Sequence, residues 1–289
     1  MNHLPTKQMG FSLIELMISL ALGLVIAGGV IQIMVSSSVT EKLNRAVASA
    51  QENGRFIISR MRSEILMAGR YDILSPNLNQ DIDVTAEAAF IQNHPVPVPG
   101  DFSSNATLGS IQGASGGNDT LVVSLQAERD CRGYKLGYDD GEEFFVVNQY
   151  FLDGTKLKCR GFDGRVLQGL KVAVGNNGDA AFTLLDDVES FQVLYGVTSS
   201  IATGDNTARP VSFVTADEIS GYVADNGQVV AIRIALLVKG DGEVFIDPLP
   251  RFKLLNEQPI RPSENRLYKK FETTITLRNV KNFMRSRKI

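Results

Sequence analysis

Between Phe11 and Val35 the chain is apolar apart from Ser12, Ser19 and Gln32, and Glu15 is its only charged side chain. At the centre of a membrane span a lone carboxylate costs about 2.5–3.5 kcal/mol, so an acid there is a functional candidate by default; at headgroup depth, near the margin of the span, it would cost little. Acid–base and nucleophilic chemistry have little else to draw on. The histidines are His3 and His94. A Ser-His-Asp hydrolase, a Cys-His protease or a His-based zinc site would need His94, which sits in His94-Pro95-Val96-Pro97-Val98-Pro99 with no nucleophile elbow or His-Glu-x-x-His beside it. The carboxylates Asp139, Asp140, Glu142 and Glu143 could hold a hard cation through oxygen, but they lack the spaced ladder of a calcium loop and read as a solvated turn. Gly240-Asp241-Gly242 reads as a hairpin turn rather than a phosphate cradle, since no helix with phosphate-binding residues follows it. The expectation is a chain with no catalytic residue, no metal site and no cofactor.

The element that carries Glu15 is a helix. About 25 residues from Phe11 to Val35 suffice to cross a hydrocarbon core of about 30 Å. No proline occurs between Phe11 and Ser75, and beyond the apolar run Val39, Leu43, Val47, Ala50, Gly54, Ile57, Ile58, Met61, Ile65 and Ala68 recur at helical spacing, with charged residues mostly on the other faces. This predicts one helix of nearly 60 residues, about 90 Å long, bare in its first half and packed on a body in its second. Gly69 and Pro76 supply the stop.

The body reads as strands. Leu74 to Asp119 is poor in periodicity and predicts surface loop. Leu121–Leu125, Phe144–Leu152 and Lys156–Cys159 predict a strand and a hairpin turning at Asp153-Gly154. Val188–Val197 and Val230–Val238 alternate as half-buried strands, Val244-Phe245-Ile246 is placed to pair back after Gly240-Asp241-Gly242, and Phe271–Arg278 is the last strand. Thr198–Asn226 and Pro248–Pro262 read as excursions, and no fixed-period repeat is present. The fold class expected is α+β: a long N-terminal helix, membrane-crossing in its first half, packed on an antiparallel β-rich head.

The string KQMGFSLIELMISLALG, with Gly10-Phe11 followed by Glu15, resembles the class III signal of type IV pilins and pseudopilins. An ordinary secretory signal would place its cut after the apolar run, not before it. Farther along, Ala50–Phe56, Met67–Tyr71, Asp187–Gly196, Val229–Leu237 and Phe271–Asn279 are similar to PilW-type minor pilins. The resemblance implies that a prepilin peptidase cuts after Gly10 and N-methylates Phe11, and that Glu15 is the assembly acid. It divides the chain into a leader (1–10), a transmembrane and assembly helix (11–35), an amphipathic helix (36–69) and a periplasmic head (70–289). The subunit would be non-enzymatic, would sit in the inner membrane with its head in the periplasm and then in an extracellular filament, and would partner other minor pilins and the major pilin. A minor pseudopilin of a type II secretion system shares the same parts; a signal-anchored periplasmic enzyme or binding protein is the alternative of a different class. The chain departs from relatives in having no proline in its apolar half and only Gly204-Asp205-Asn206 where some carry a calcium-like loop.

For an exported body, Cys131 and Cys159 read as one disulfide, closing a loop of about 28 residues worth roughly 3 kcal/mol; two free buried thiols are the alternative. The chain is 44% hydrophobic with a net charge of −3, and loss of the leader with Lys7 makes that −4, so nothing in the balance calls for nucleic acid. The basic tail (Lys269, Lys270, Arg278, Lys281, Arg285, Arg287, Lys288) has few aromatics for base stacking, and nucleic acid is not an expected partner.

Overall fold

Helix α1 runs unbroken over Leu13–Ile65, 53 residues, in a computed structural model that describes residues 10–280 except 115, 200–208, 226, 245, 247 and 263. At about 1.5 Å per residue it is about 80 Å long. Ser12 caps it, its Oγ accepting from the Glu15 amide at 3.2 Å, and Glu15 in the first turn suits the positive end of the helix dipole. The helix is shorter than the 11–69 expected. After Ile65 the chain tightens into turns, Met67 N donating to Glu64 O and Ala68 N to Ile65 O, and Gly69 at φ +75° delivers its N–H to Ser124 O at 2.8 Å.

The body-facing stripe is Ala46, Ala50, Gly54, Ile57, Met61 and Ile65, at intervals of three and four. Val39 and Leu43, expected to belong to it, are exposed. The body ends at the turn after Lys239, where Gly240 lies against the Ala46 carbonyl and Asp241 N donates to Ser49 Oγ at 2.8 Å, so nothing reaches the two turns before Ala46.

Two antiparallel four-stranded sheets form the head. The first has the order β1 (Leu121–Ala127), β2 (Phe144–Asp153), β3 (Lys156–Asp163), β4 (Phe182–Leu185); the second runs β6 (Ser212–Val214), β5 (Val188–Val197), β7 (Val229–Lys239), β8 (Tyr268–Thr276). The β2–β3 hairpin closes at Asp153↔Lys156 with Gly154 at φ +61°, a backbone conformation that glycine takes without a Cβ clash. The outer edge of β1 is sealed by irregular chain: Ser124 N donates to Pro95 O and Gln126 N to Arg70 O, which leaves no open edge there.

One core joins α1 to both sheets. Ile57, Met61 and Ile65 pack with Leu121, Val123, Val146 and Tyr150 of the first sheet and Phe191, Val193, Ile232, Ile234 and Leu236 of the second. Gly54 lets β8 approach the helix, since a Cβ there would overlap the Phe271 ring. β5 and β7 are buried on both faces rather than half-buried, because Ala235 and Leu237 are covered by Leu254 and Tyr268.

Several expectations are corrected. The stretch read as surface loop contains α2 (Val84–Asn93), capped by Asp83, whose Ala88 and Ile91 pack with Val122, Phe145 and Val147 on the far face of the first sheet. The excursion after β5 contains β6 and α4 (Ala216–Ala224), where the Glu218 carboxylate accepts from Thr215 N at 2.9 Å. A four-residue turn of helix, α3 (Gly164–Leu167), follows β3. Val244 does not return along β7; its N–H donates to Asn265 O, and β8 takes the place beside β7, while Phe245 lies outside the described residues.

Candidate functional site

The first eight turns of α1 carry the feature that the head does not absorb. Leu13, Ile14, Leu16, Met17, Ile18, Leu20, Leu22, Leu24, Val25 and Ile26 are all more than half exposed, on every face of the helix. A helix apolar all round needs an apolar surrounding, and α1 is the one helix among the described residues long and apolar enough to cross a membrane. Gly28-Gly29 and Gln32 do not interrupt it.

Glu15 stands on this surface one turn from the helix start. Its backbone is fully engaged, the amide with Ser12 Oγ and the carbonyl accepting from Ser19 Oγ at 2.8 Å. Its carboxylate is exposed and has no partner among the described residues. Phe11, 86% exposed, and Gly10 precede the cap in exposed, non-helical backbone. Gly10, Phe11 and Glu15 therefore lie together at one end of a bare apolar rod, far from the head.

The remaining sequence candidates fall into structural roles. Cys131 and Cys159 are disulfide-bonded, Cα to Cα 6.4 Å, tying the loop between β1 and β2 to β3. His94 ends α2, its ring stacked on Phe90 and its Nδ1 3.0 Å from Phe90 O. The acidic turn is divided. Asp140 is exposed and its pKa is lowered by a hydrogen bond from, and the charge of, Lys135. Glu143 is half-buried and accepts from Ser75, Arg70 and Gln126. Burial opposes its ionisation, but those bonds outweigh burial and hold its pKa below the usual range. No group of His, Cys, Asp or Glu able to hold a metal occurs among the described residues. Gly204-Asp205-Asn206 and the tail from Lys281 lie outside them.

Three polar constellations escaped the sequence reading. On the far face of the first sheet, Arg165 and Glu87, each almost wholly buried, pair bidentately at 2.8 and 2.9 Å, with Tyr71 OH donating to Glu87 and Asn79 O accepting from Arg165 at 2.7 Å. Burial, then the Glu87 carboxylate, pushes the Tyr71 hydroxyl up, so it remains a donor. Asp119, 3% exposed, joins the two sheets by accepting from Gly113 N at 2.8 Å and from Val193 N of β5 at 2.7 Å. Burial raises its pKa to about 6 against those two stabilising bonds. Between α1 and the first sheet, Tyr150 OH donates to Glu64, Arg60 Nε bonds Glu64 at 3.2 Å, and Arg60 Nη2 donates to Cys131 O at 3.1 Å.

Two family models match. Residues 6–31 match the prokaryotic N-terminal methylation motif, and residues 144–279, from β2 through β8, match type IV pilus-assembly protein W. A type IV-like pilin from Thermus thermophilus is similar at 15% identity over 58% of this chain and 83% of that one, with a TM-score of 0.32. No curated protein matches.

Proposed function

We propose that the chain is a PilW-type minor pilin of the type IV pilus, a reading supported by the two family matches at residues 144–279 and 6–31, and that its parts divide the work as follows. Met1–Gly10 is a leader removed by the prepilin peptidase, and Phe11 becomes an N-methylated first residue. The apolar half of α1 anchors the subunit in the inner membrane, head in the periplasm, and then enters the bundle of helices inside the filament. The head is a structural and non-enzymatic module through which the subunit meets other minor pilins and the major pilin.

Glu15 governs insertion. In an apolar bundle either an unpaired carboxylate or an unpaired ammonium is penalised, whereas the two within a few ångströms attract strongly. The carboxylate pairs with the methylated amino group of a neighbouring subunit's Phe11, which fixes register along the filament. The observation that carries this reading is a single unpartnered carboxylate, in the first turn of the helix, on a rod whose other side chains are uncharged, mostly apolar and uncovered. Glu15→Val makes the helix more apolar and should leave membrane anchoring and cleavage intact while lowering recovery in sheared filaments by at least about tenfold, the scale of a lost 1.4 kcal/mol. Recovery of Glu15→Val in filaments at the wild-type level would refute the role.

A further inference from the structure

The polar contacts between α1 and the first sheet carry an inference about how Glu15 is aimed. Hydrophobic burial is non-directional, and the stripe that α1 lays on the head begins with Ala46, Ala50 and Gly54, which offer little relief against sliding or tilting. Hydrogen bonds have direction. Among the described residues, three α1 side chains make them to the body. Ser49 accepts from Asp241 N at 2.8 Å at the edge of the head. Eleven and fifteen residues farther on, Arg60 donates to Cys131 O at 3.1 Å and Glu64 accepts from Tyr150 OH.

The body side of the second contact is built to stay in place. Tyr150 is fully buried in the middle of β2, directly across from Cys159 on β3. Cys159 is bonded to Cys131, and the Cys131 amide donates to Asn148 Oδ1 at 3.0 Å. The residues on either side of Cys131 are also tied: Arg132 pairs with buried Asp130 at 2.7 Å and donates to Gly161 O, two residues beyond Cys159, at 2.9 Å. Arg60 and Glu64 are joined to each other at 3.2 Å, so donor and acceptor act as one two-pronged group.

The lever arm makes angular error expensive. Glu15 lies 31 residues before Ala46 on an unbroken helix, about 46 Å from the edge of the head. A tilt of about 5° moves it about 4 Å, the whole reach of an ion pair. We propose that Arg60, Glu64 and Tyr150 are positioning residues that hold α1 at one angle to the head, so that Glu15 arrives in register when the subunit joins a filament. The filament consequence rests on the assembly role given above to Glu15; the fixed angle does not.

The test uses the full chain in detergent with spin labels at two exposed positions, Ser36→Cys on the helix and Leu170→Cys on the head, the native cysteines being disulfide-bonded. The expected result is a narrow distance distribution for the otherwise wild-type chain, a distribution about twice as wide for Glu64→Ala and Tyr150→Phe, and a narrow one again for Glu64→Gln, which keeps an acceptor for Tyr150. Recovery of Glu64→Ala in sheared filaments should fall about tenfold with its melting temperature close to that of Glu64→Gln. An unchanged width in Glu64→Ala and Tyr150→Phe overturns the proposal. So does broadening that Glu64→Gln shares, or loss of recovery that merely follows loss of melting temperature. Broadened distances with undiminished recovery would retain the clasp and count against the assembly role of Glu15 instead.

Discussion

Individual side chains in this head are held in ionisation states that can be read out. Asp119 titrates near 6 when folded against 3.8 in a model peptide, because burial disfavours its charge more than the Gly113 and Val193 amides favour it. The folded state therefore binds the extra proton between those values, so the contribution of Asp119 to stability is present below about pH 4 and lost as pH rises through about 6. The size is on the order of 3 kcal/mol for a shift of about two units. In Asp119→Asn this term vanishes: relative to the variant, the wild-type chain should lose about 3 kcal/mol in denaturant titrations between pH 3.5 and 7, and a constant difference would contradict the assignment. Glu87 matters through its two hydrogen bonds from Arg165. Glu87→Ala leaves the Arg165 guanidinium buried without its bidentate partner and should cost about 3–5 kcal/mol at neutral pH, measured by denaturant titration; a cost under 1 kcal/mol would mean that Arg165 finds water.

Among the elements, the long helix and the major strands were legible because their signals are local. A proline-free apolar run of some 25 residues has few foldings open to it, and Phe191-x-Val193-x-Tyr195 or Ile232-x-Ile234-x-Leu236 declare a strand by period. What was misread depends on distance. α2 has Val84, Ala88, Phe90 and Ile91 to pack on the body, an apolar pattern too short to stand out until the far face of the first sheet is there to receive it. α4 did leave a readable mark, Thr215 with Glu218 three residues on, a capping-box spacing passed over in a loop-rich stretch. Val39 and Leu43 have the right spacing for the body-facing stripe, but spacing does not say where the body ends. The Glu87–Arg165 pair spans 78 residues and Asp119–Val193 spans 74, so neither could be seen in any window of sequence. Gly54 gives a test at the helix–sheet contact. Gly→Ala inside a helix normally gains about 1 kcal/mol, yet a methyl there meets the Phe271 ring, and overpacking costs about 1–3 kcal/mol. Gly54→Ala should lower stability by about 1 kcal/mol in the wild-type background and raise it in a Phe271→Val background, where the ring is gone; stabilisation in both would show that β8 has room to move.

The molecule as a whole combines a folded head with a rod that the head leaves uncovered. Apolar side chains that the body does not bury over so long a stretch require a lipid or protein surrounding, and the two matched segments fall on the two halves of this design, the methylation motif on the rod and the pilus-assembly family on the sheets. The candidate site proposed at Gly10, Phe11 and Glu15 rests on neighbours in sequence, and reading it needs no tertiary contact. Its partners were not legible, because under the proposed role the cation that pairs with Glu15 belongs to another chain. The most direct test is the N-terminus of the protein in filaments. Mass spectrometry of sheared, purified pili should yield a peptide from this chain that begins at Phe11 and carries one N-methyl group, with none beginning at Met1. A filament-borne chain that keeps Met1–Gly10, or a processed chain confined to the membrane fraction and missing from the filaments, would contradict the account.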